Sequence, residues 1–470
     1  MPHTKIVATL GPATDAPGVL RELFAAGVDV FRLNASHGQW EEHQARIAAV
    51  REGAREAGAD AGILLDLQGP KIRLGSFAGG GCTLPAGAQF TITTEPVAGT
   101  CEQASTGYPD FARDVAPGDR ILLADGGLEL RALASDGVRV RTEVVRGGAI
   151  RDRQGINLPG VAVRIPSLTE KDLGDLERGL DAGVDMVALS FVRSALDVAQ
   201  LRGRVGSRPV AIVAKIEKPE AWENIEPILD AADGVMVARG DLGVETALEK
   251  VPYIQKSIIR RARRKGRFAI TATQMLESMI EHPMPTRAEV SDVANAIYDG
   301  TDAVMLSAET SIGKYPVEAV RFMARIAHES EDAIRRKGYL DPPHSPSPGN
   351  AEILADAAYH AARESRAAAI VVFTATGSSA RLVSRYRPPV DIFAITPGES
   401  TARRLTVNYG VKPILAPEVS DTDEMLAQMD RVLMEGGHVK QGELVVFLAG
   451  QPVGRAGTTN LMKLHRVGEG

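Results

Sequence analysis

Val210-Ala-Ile-Val-Ala-Lys-Ile-Glu217 and Gly234-Val-Met-Val-Ala-Arg-Gly-Asp241 decide the fold. Each is an apolar run that closes on charged residues two apart. Side chains at i and i+2 of a strand share a face. Two such strands in succession deliver an ammonium (Lys215), a guanidinium (Arg239) and two carboxylates (Glu217, Asp241) to one place. Paired carboxylates suit a hard divalent cation, and fixed positive groups suit an anionic substrate. The combination points to metal-assisted chemistry on a phosphate or carboxylate. Continuous rather than alternating hydrophobicity marks strands buried on both faces, as in parallel sheets.

Similar runs recur at 5–10, 28–33, 63–67, 186–189, 268–271 and 303–306. Helical-period stretches lie between most of them, at 40–56, 170–182, 195–205, 253–265 and 287–298. With the two opening runs this makes eight βα units, the pattern of a (β/α)₈ barrel formed by residues 1–70 and 165–338. The interval 71–164 is far too long for a loop. It reads as strands at 89–94, 120–123, 128–133 and 138–145, with turns at Gly79-Gly-Gly81, Asp125-Gly-Gly127 and Asp136-Gly137. A small β domain is expected there, inserted after the third barrel strand. It hangs from the face where barrels keep their active sites, so it reads as a lid. Tyr339-Leu-Asp-Pro-Pro-His-Ser-Pro-Ser-Pro348 is a proline-rich linker within 339–349. Beyond it, runs at 369–373, 391–395, 411–415 and 444–448 predict an open α/β domain over 350–470.

Of the 470 residues, 44% are hydrophobic and the formal charge is −6, which disfavours general nucleic-acid binding. The basic run Arg260-Arg-Ala-Arg-Arg-Lys-Gly-Arg267 is read as charge complementing a helix C-terminus. Two cysteines make a disulfide framework unexpected. The chain opens without a basic and apolar leader, and no run is long enough to span a membrane, so a soluble cytoplasmic protein is expected.

In a barrel, polar groups at strand C-termini converge on one mouth. Those groups are Arg32, Asn34 and Ser36 on the second strand, Asp66 and Gln68 on the third, and Lys215 and Glu217 on the fifth. The sixth gives Arg239 and Asp241, the seventh Thr271, Thr273 and Gln274, and the eighth Ser307, Glu309 and Thr310. Individually each is an ordinary capping or ion-pairing residue; as a set on six strands they describe a site.

The chain resembles pyruvate kinases over essentially its whole length. The resemblance rests on Thr4-Lys-Ile-Val-Ala-Thr-Leu-Gly-Pro-Ala-Thr14, Arg32-Leu-Asn-Ala-Ser-His-Gly38, Gly155-Ile-Asn-Leu-Pro-Gly160, Lys215-Ile-Glu217 and Met236-Val-Ala-Arg-Gly-Asp-Leu-Gly243. It extends through Thr271-Ala-Thr-Gln-Met-Leu-Glu-Ser-Met279 and Pro285-Thr-Arg-Ala-Glu-Val-Ser-Asp-Val-Ala-Asn295. It implies phosphoryl transfer from phosphoenolpyruvate to ADP, giving pyruvate and ATP. Glu217 and Asp241 would hold Mg²⁺ or Mn²⁺, and Lys215 would stabilise the moving phosphoryl. Arg32 would contact phosphate; Gly240 and Thr273 would take the substrate carboxylate. Protonation of the enolate product is open among Thr273, Ser307 and a water relay ending at Glu309, the relay being preferred on pKa grounds.

Asn34, His37 and Arg73 match positions near the nucleotide, with His37 as a helix cap the alternative. Two lysines that family members often carry on the nucleotide side are Gln154 and Ile312 here; Arg153 or Lys314 are the candidates to compensate. Many members use K⁺, held by oxygens equivalent to Asn34, Ser36, Asp66 and the backbone of Leu67. Where they usually end this segment on glutamate, the chain has Lys71, so K⁺-independence is expected, with Lys71 as a tethered cation; the alternative is a lysine pointing into solvent. The loop Thr374-Ala-Thr-Gly-Ser-Ser379, with Thr374, Thr376, Gly377, Ser378 and Ser379, is the family's effector-phosphate loop, and Arg455 would add charge. A homotetramer is implied, with Arg287 near a subunit contact. Two other readings stand beside this one: a Mg²⁺-dependent enolate lyase or phosphomutase on a similar barrel, and a non-catalytic metabolite sensor.

Overall fold

A computed structural model describes residues 2–338, 340, 342–343, 348–419, 421–452 and 459–469. Eight parallel strands close into a barrel: Lys5–Thr9, Val30–Asn34, Gly62–Asp66, Met186–Leu189, Ala211–Ile216, Gly234–Ala238, Phe268–Ala272 and Ala303–Leu306. Closure is made by the first strand on the eighth, Lys5 opposite Ala303 and Ala8 opposite Leu306. The apolar runs are continuous because both faces are buried. One parity faces the surrounding helices (Ile6, Phe31, Leu65, Ile212). The other fills the interior (Val7, Leu64, Met186, Val213, Met236, Phe268, Ile270, Met305). Gly234 is needed inside, since a Cβ there would lie 2.3 Å from the Phe268 ring.

Between the third and fourth barrel strands stands the lid. Its main sheet runs Ile156–Asn157, Arg120–Leu123, Leu128–Ser135, Arg139–Arg146, Gln89–Thr93, Gln103–Ser105, and a separate ribbon pairs Gly81–Leu84 with Gly148–Arg151. Strict alternation in Arg139–Arg146 turns Val140, Thr142 and Val144 inward. They join a core of their own with Phe90, Ile92, Phe111, Ile121 and Leu130.

The C-terminal sheet has the order Val411–Leu415, Asp391–Thr396, Ala369–Phe373, Leu444–Gly450, Thr459–Arg466. The last strand is antiparallel and was not expected from the sequence. This domain plugs the N-terminal end of the barrel. Val407 joins the barrel's interior cluster, and Gly62 leaves room for Thr406, whose Oγ1 would be 2.7 Å from an added Cβ. Ion pairs seal the seam: Arg387 to Asp302 at 3.0 Å, Arg403 to Asp185 at 2.8 Å and His3 to Asp391 at 3.1 Å. The expected linker falls largely on residues outside those described.

The basic run sits at the end of helix Val251–Arg264 and is spent internally. Arg261 stacks on Trp222, Lys265 pairs with Asp230 and Glu226, and Arg267 donates to the Leu229 carbonyl. Among the described residues no helix is long and apolar enough to cross a membrane.

Candidate active site

Five strand ends of the barrel, the first to the fifth, meet in one buried polar network. Lys215, at the end of the fifth strand, lies 2.9 Å from Glu217 Oε1 and 3.2 Å from Asp66 Oδ1, and its Nζ donates to Ser190 Oγ at 2.7 Å. Arg32 Nε donates to Asp66 Oδ2 at 2.8 Å, and its Nη1 to Thr9 Oγ1 at 3.0 Å. Glu217 Oε2 accepts the Phe191 N–H at 2.7 Å. Burial works against the charge on Lys215, but Asp66 and Glu217 hold its pKa above the ordinary lysine range. Asp66 is pushed up by burial and pulled down further by Lys215 and Arg32, so it stays ionised below the usual carboxylate range. Glu217 goes the other way: burial raises it, Asp241 adds to the rise, and Lys215 opposes it.

Asp241 is half-buried, and among the described residues its carboxylate takes no hydrogen bond or ion pair. It acts on Glu217 and Lys215 only through its charge. An unpaired carboxylate whose charge pushes a second, buried one up is a donor set that a cation would relieve. The pair fits a divalent ion. No group of three or more such ligands exists among the described residues, so other positions around an ion would fall to substrate and water, as Mg²⁺ prefers.

Arg239 corrects the first reading of the sequence. Its guanidinium is not offered to substrate. Nη1 pairs with Asp292 at 2.6 Å, and Nη2 donates to the Thr273 and Gln274 carbonyls at 2.7 and 3.1 Å. Strand parity fails because helix Arg239–Glu245 begins there. The guanidinium at the mouth is Arg32.

Thr273 and Gln274 both adopt left-handed φ, 68° and 53°. This kink brings Thr273 Oγ1 to the Gly240 N–H, which donates to it at 2.8 Å, while the hydroxyl donates to Ala272 O at 2.6 Å. Glu309 is buried and pushed up by burial, with Oε1 accepting from Leu276 N and Oε2 from Ser307 N. Both its oxygens therefore hold loop backbone.

Toward the lid, Asn34 Oδ1 accepts the Ser36 N–H at 3.1 Å. His37 is lowered by burial, then by Arg73, Lys71 and Arg32, which gathers these cations at one edge of the mouth. The helix Trp40–Ala57 is capped by Gln39, not His37, whose carbonyl instead accepts from His43 Nε2. A cleft between barrel and lid is lined by Pro70, Lys71, Arg73, Tyr108, Arg153 and Arg164. Arg153 is thus at hand where the nucleotide-side lysine is missing. Lys314 is not, being paired with Glu281 at 2.5 Å. The Lys71 stem passes Gly155, and among the described residues its ammonium takes no hydrogen bond or ion pair. The Leu67 carbonyl accepts from Ser190 Oγ at 2.7 Å, and Asp66 Oδ1 has Lys215 Nζ as its partner at 3.2 Å.

The chain matches the family model described as pyruvate kinase, barrel domain, over residues 1–320, and that described as pyruvate kinase, alpha/beta domain, over residues 352–465. The chain belongs to the pyruvate kinase family. It is 45% identical to the pyruvate kinase of Geobacillus stearothermophilus across 99% of this chain and 80% of that one. It is also 45% identical to that of Mycobacterium tuberculosis strain H37Rv across 99% and 98%. A crystal structure of a pyruvate kinase from Cryptosporidium parvum superposes with a TM-score of 0.91 at 34% identity, covering 99% of this chain and 96% of that one. The choice the sequence left open between a kinase, a lyase or phosphomutase and a sensor falls to the phosphotransferase.

Sequence reasoning missed Thr9, Ser190, Phe191, Asp292 and a lid latch. In the latch, Glu245 Oε1 accepts from Asn157 Nδ2 at 2.9 Å and pairs with Lys218 Nζ at 2.9 Å. Thr9 and Ser190 end the first and fourth barrel strands, so the position rule that found the others would have found them. In the C-terminal domain the loop 374–379, expected to take an effector phosphate, is only partly free. Ser379 Oγ bonds Thr459 Oγ1 and Thr374 Oγ1 accepts from Gly377 N, which leaves Thr376 exposed and Ser378 half-exposed. Ser379 is thereby corrected from cradle to core. Arg455 lies outside the described residues.

Proposed function

We propose that this pyruvate kinase is a divalent-cation-dependent, K⁺-independent enzyme that transfers the phosphoryl of phosphoenolpyruvate to ADP at the barrel mouth. The observation that carries the reading is the Arg32–Asp66–Lys215–Glu217 network beside Asp241, whose carboxylate has no partner among the described residues. Glu217 and Asp241 would hold Mg²⁺ or Mn²⁺. When bound, such an ion supplies positive charge to the substrate oxygens and the moving phosphoryl. Lys215 carries a fixed ammonium, kept charged by two buried acids, to the same place and stabilises charge that develops there. Arg32 grips phosphate while Asp66 and Thr9 hold its plane. The Gly240 N–H and the Thr273 hydroxyl exchange their mutual bond for the substrate carboxylate. With both Glu309 oxygens on backbone, its part in enolate protonation is to shape the loop and to end a water relay that reaches carbon by way of Thr273 or Ser307.

ADP would lie in the cleft between barrel and lid, against Asn34, His37, Arg73 and Arg153. Lys71 serves as the tethered monovalent charge for the oxygens of Asn34, Ser36, Asp66 and Leu67: among the described residues no partner holds the Lys71 ammonium elsewhere, and Asp66 Oδ1 faces Lys215 alone, at 3.2 Å. A phosphorylated effector at Thr376, Gly377 and Ser378, and a homotetramer, complete the proposal. Leu248, Tyr253 and Met284 are 71%, 65% and 65% exposed, apolar surface of the kind subunit contacts cover. Arg287 opens the helix that carries Asp292, the partner of Arg239, which gives an interface a route to the mouth. The test is pyruvate formation from phosphoenolpyruvate and ADP with Mg²⁺ or a chelator, and with or without K⁺. Full turnover in chelator would overturn the metal assignment. Collapse without K⁺ would overturn the role of Lys71.

A further inference from the structure

The chain holds only two cysteines, and the fold places them side by side. Cys82 is half-buried in Gly81–Leu84, a strand pinned by its pairing with Gly148–Arg151. Cys101 is exposed on the loop before Gln103–Ser105. That loop is held against the same region by backbone bonds: Gly99 N to Ser76 O at 2.9 Å and Ala78 N to Gly99 O at 3.1 Å. Cys82 Sγ donates to the carbonyl oxygen of Thr100, the residue that precedes Cys101 in the chain, at 3.7 Å. Burial, with the neighbouring Cys101 thiol, pushes the Cys82 thiol up to about 11. Neither residue belongs to the catalytic network or to the lid latch.

We propose that Cys82 and Cys101 are a redox modification site, closing to a reversible intramolecular disulfide in the lid when the enzyme meets a peroxide. The roles follow from exposure. The Cys101 thiolate attacks a peroxide oxygen, the O–O bond breaks, and the departing hydroxide takes a proton to leave as water, giving a sulfenic acid on Cys101. The Cys82 sulfur then attacks the Cys101 sulfur. Its proton passes to the leaving oxygen, the S–O bond breaks, and a second water departs. Two thiols lose two electrons in all, and the peroxide is reduced to two waters. A partly buried, protonated Cys82 is a poor target for the oxidant but stands within reach of the sulfenic acid, so it resolves rather than initiates. In a reducing compartment the pair rests as the dithiol, and the bond is transient.

The experiment treats the full chain with limiting hydrogen peroxide, blocks remaining thiols with an alkylating agent, and reads intact mass and a peptide map. The expected result is loss of two hydrogens, a cross-linked peptide joining Cys82 to Cys101 within one chain, and recovery of both thiols with dithiothreitol. Cys82→Ser should stop the reaction at a sulfenic acid on Cys101 that dimedone traps. Cys101→Ser should leave Cys82 reduced under the same exposure. The proposal fails if wild-type Cys101 is trapped by dimedone as fully as in Cys82→Ser, if linkage occurs only between chains, or if Cys82 oxidises first. The wild-type map decides even where a variant folds poorly.

Discussion

At the end of the barrel that meets the C-terminal domain, the buried acids Asp185, Asp302 and Glu331 have partners on both oxygens. Asp185 accepts from Ile63 N, Arg51 and Arg403. Asp302 accepts from Ala269 N, Tyr409 N and Arg387. Glu331 accepts from the backbone of His3 and Thr4. At the mouth satisfaction is incomplete: among the described residues the half-buried Asp241 carboxylate takes no partner, and its charge adds to the burial that pushes Glu217 up, against the pull of Lys215. A buried charge with all its partners locks structure; one that lacks them waits for a ligand. The same residue types on the same strands thus serve stability at one end and chemistry at the other.

The sharpest way to break this contrast is Lys215→Ala. It should lower kcat by about a thousandfold or more while changing the KM for phosphoenolpyruvate much less, since the ammonium acts on charge that develops in transfer. Steady-state kinetics check it, and near-normal turnover would remove Lys215 from the mechanism. Asp302→Ala at the opposite end should do the reverse. Leaving Arg387 buried without its acid should cost about 3–5 kcal/mol in denaturant unfolding, with turnover per folded molecule preserved.

The pH dependence of divalent stabilisation separates the two ends further. Glu217 in the folded, metal-free chain keeps its proton to a higher pH than in the unfolded chain. Folding therefore takes up a proton between the ordinary glutamate range and the raised value, and the contribution of this group to stability falls as pH rises through that window. A bound cation favours the ionised form and reverses the trend. The gain in Tm on adding Mg²⁺ should grow as pH rises from below the ordinary glutamate range toward neutrality, and Glu217→Gln should flatten it. A gain independent of pH would sink the assignment. Lys71→Glu is expected to lower activity in K⁺-free buffer by about tenfold, roughly 1.4 kcal/mol, with recovery on adding K⁺. Smallest of all, Lys412→Ala removes a half-exposed pair to Asp391 at 2.7 Å and should cost about 1 kcal/mol or less.

The barrel was legible because its strands are buried on both sides, which writes them into the sequence as unbroken apolar runs. The meeting of Arg32, Asp66, Lys215 and Glu217 was legible because barrel strand ends have one destination. What escaped had a physical reason in each case. Gly81–Leu84, Gln103–Ser105, Gly148–Arg151 and Ile156–Asn157 are too short to display a period. Thr459–Arg466 is an antiparallel edge strand with only two buried residues, Thr459 and His465, so no apolar run marks it. Arg239 was misplaced because a helix starts where strand parity was being counted. Ser379 looked like a ligand group because a hydroxyl after a strand reads the same whether it faces solvent or Thr459. Direction of a side chain at the first turn of a helix is a tertiary property.

The bond from Asn157 to Glu245, with Lys218 behind it, has a mechanical consequence. It fastens the strand by which the chain returns from the lid, whereas the outgoing segment with Lys71 and Arg73 borders the open cleft. The two segments are nevertheless one ribbon: Ile156 N donates to Ile72 O at 2.9 Å and Leu74 N to Gln154 O at 2.8 Å. A pull on the latch is therefore passed straight across the hinge to the cationic margin of the cleft.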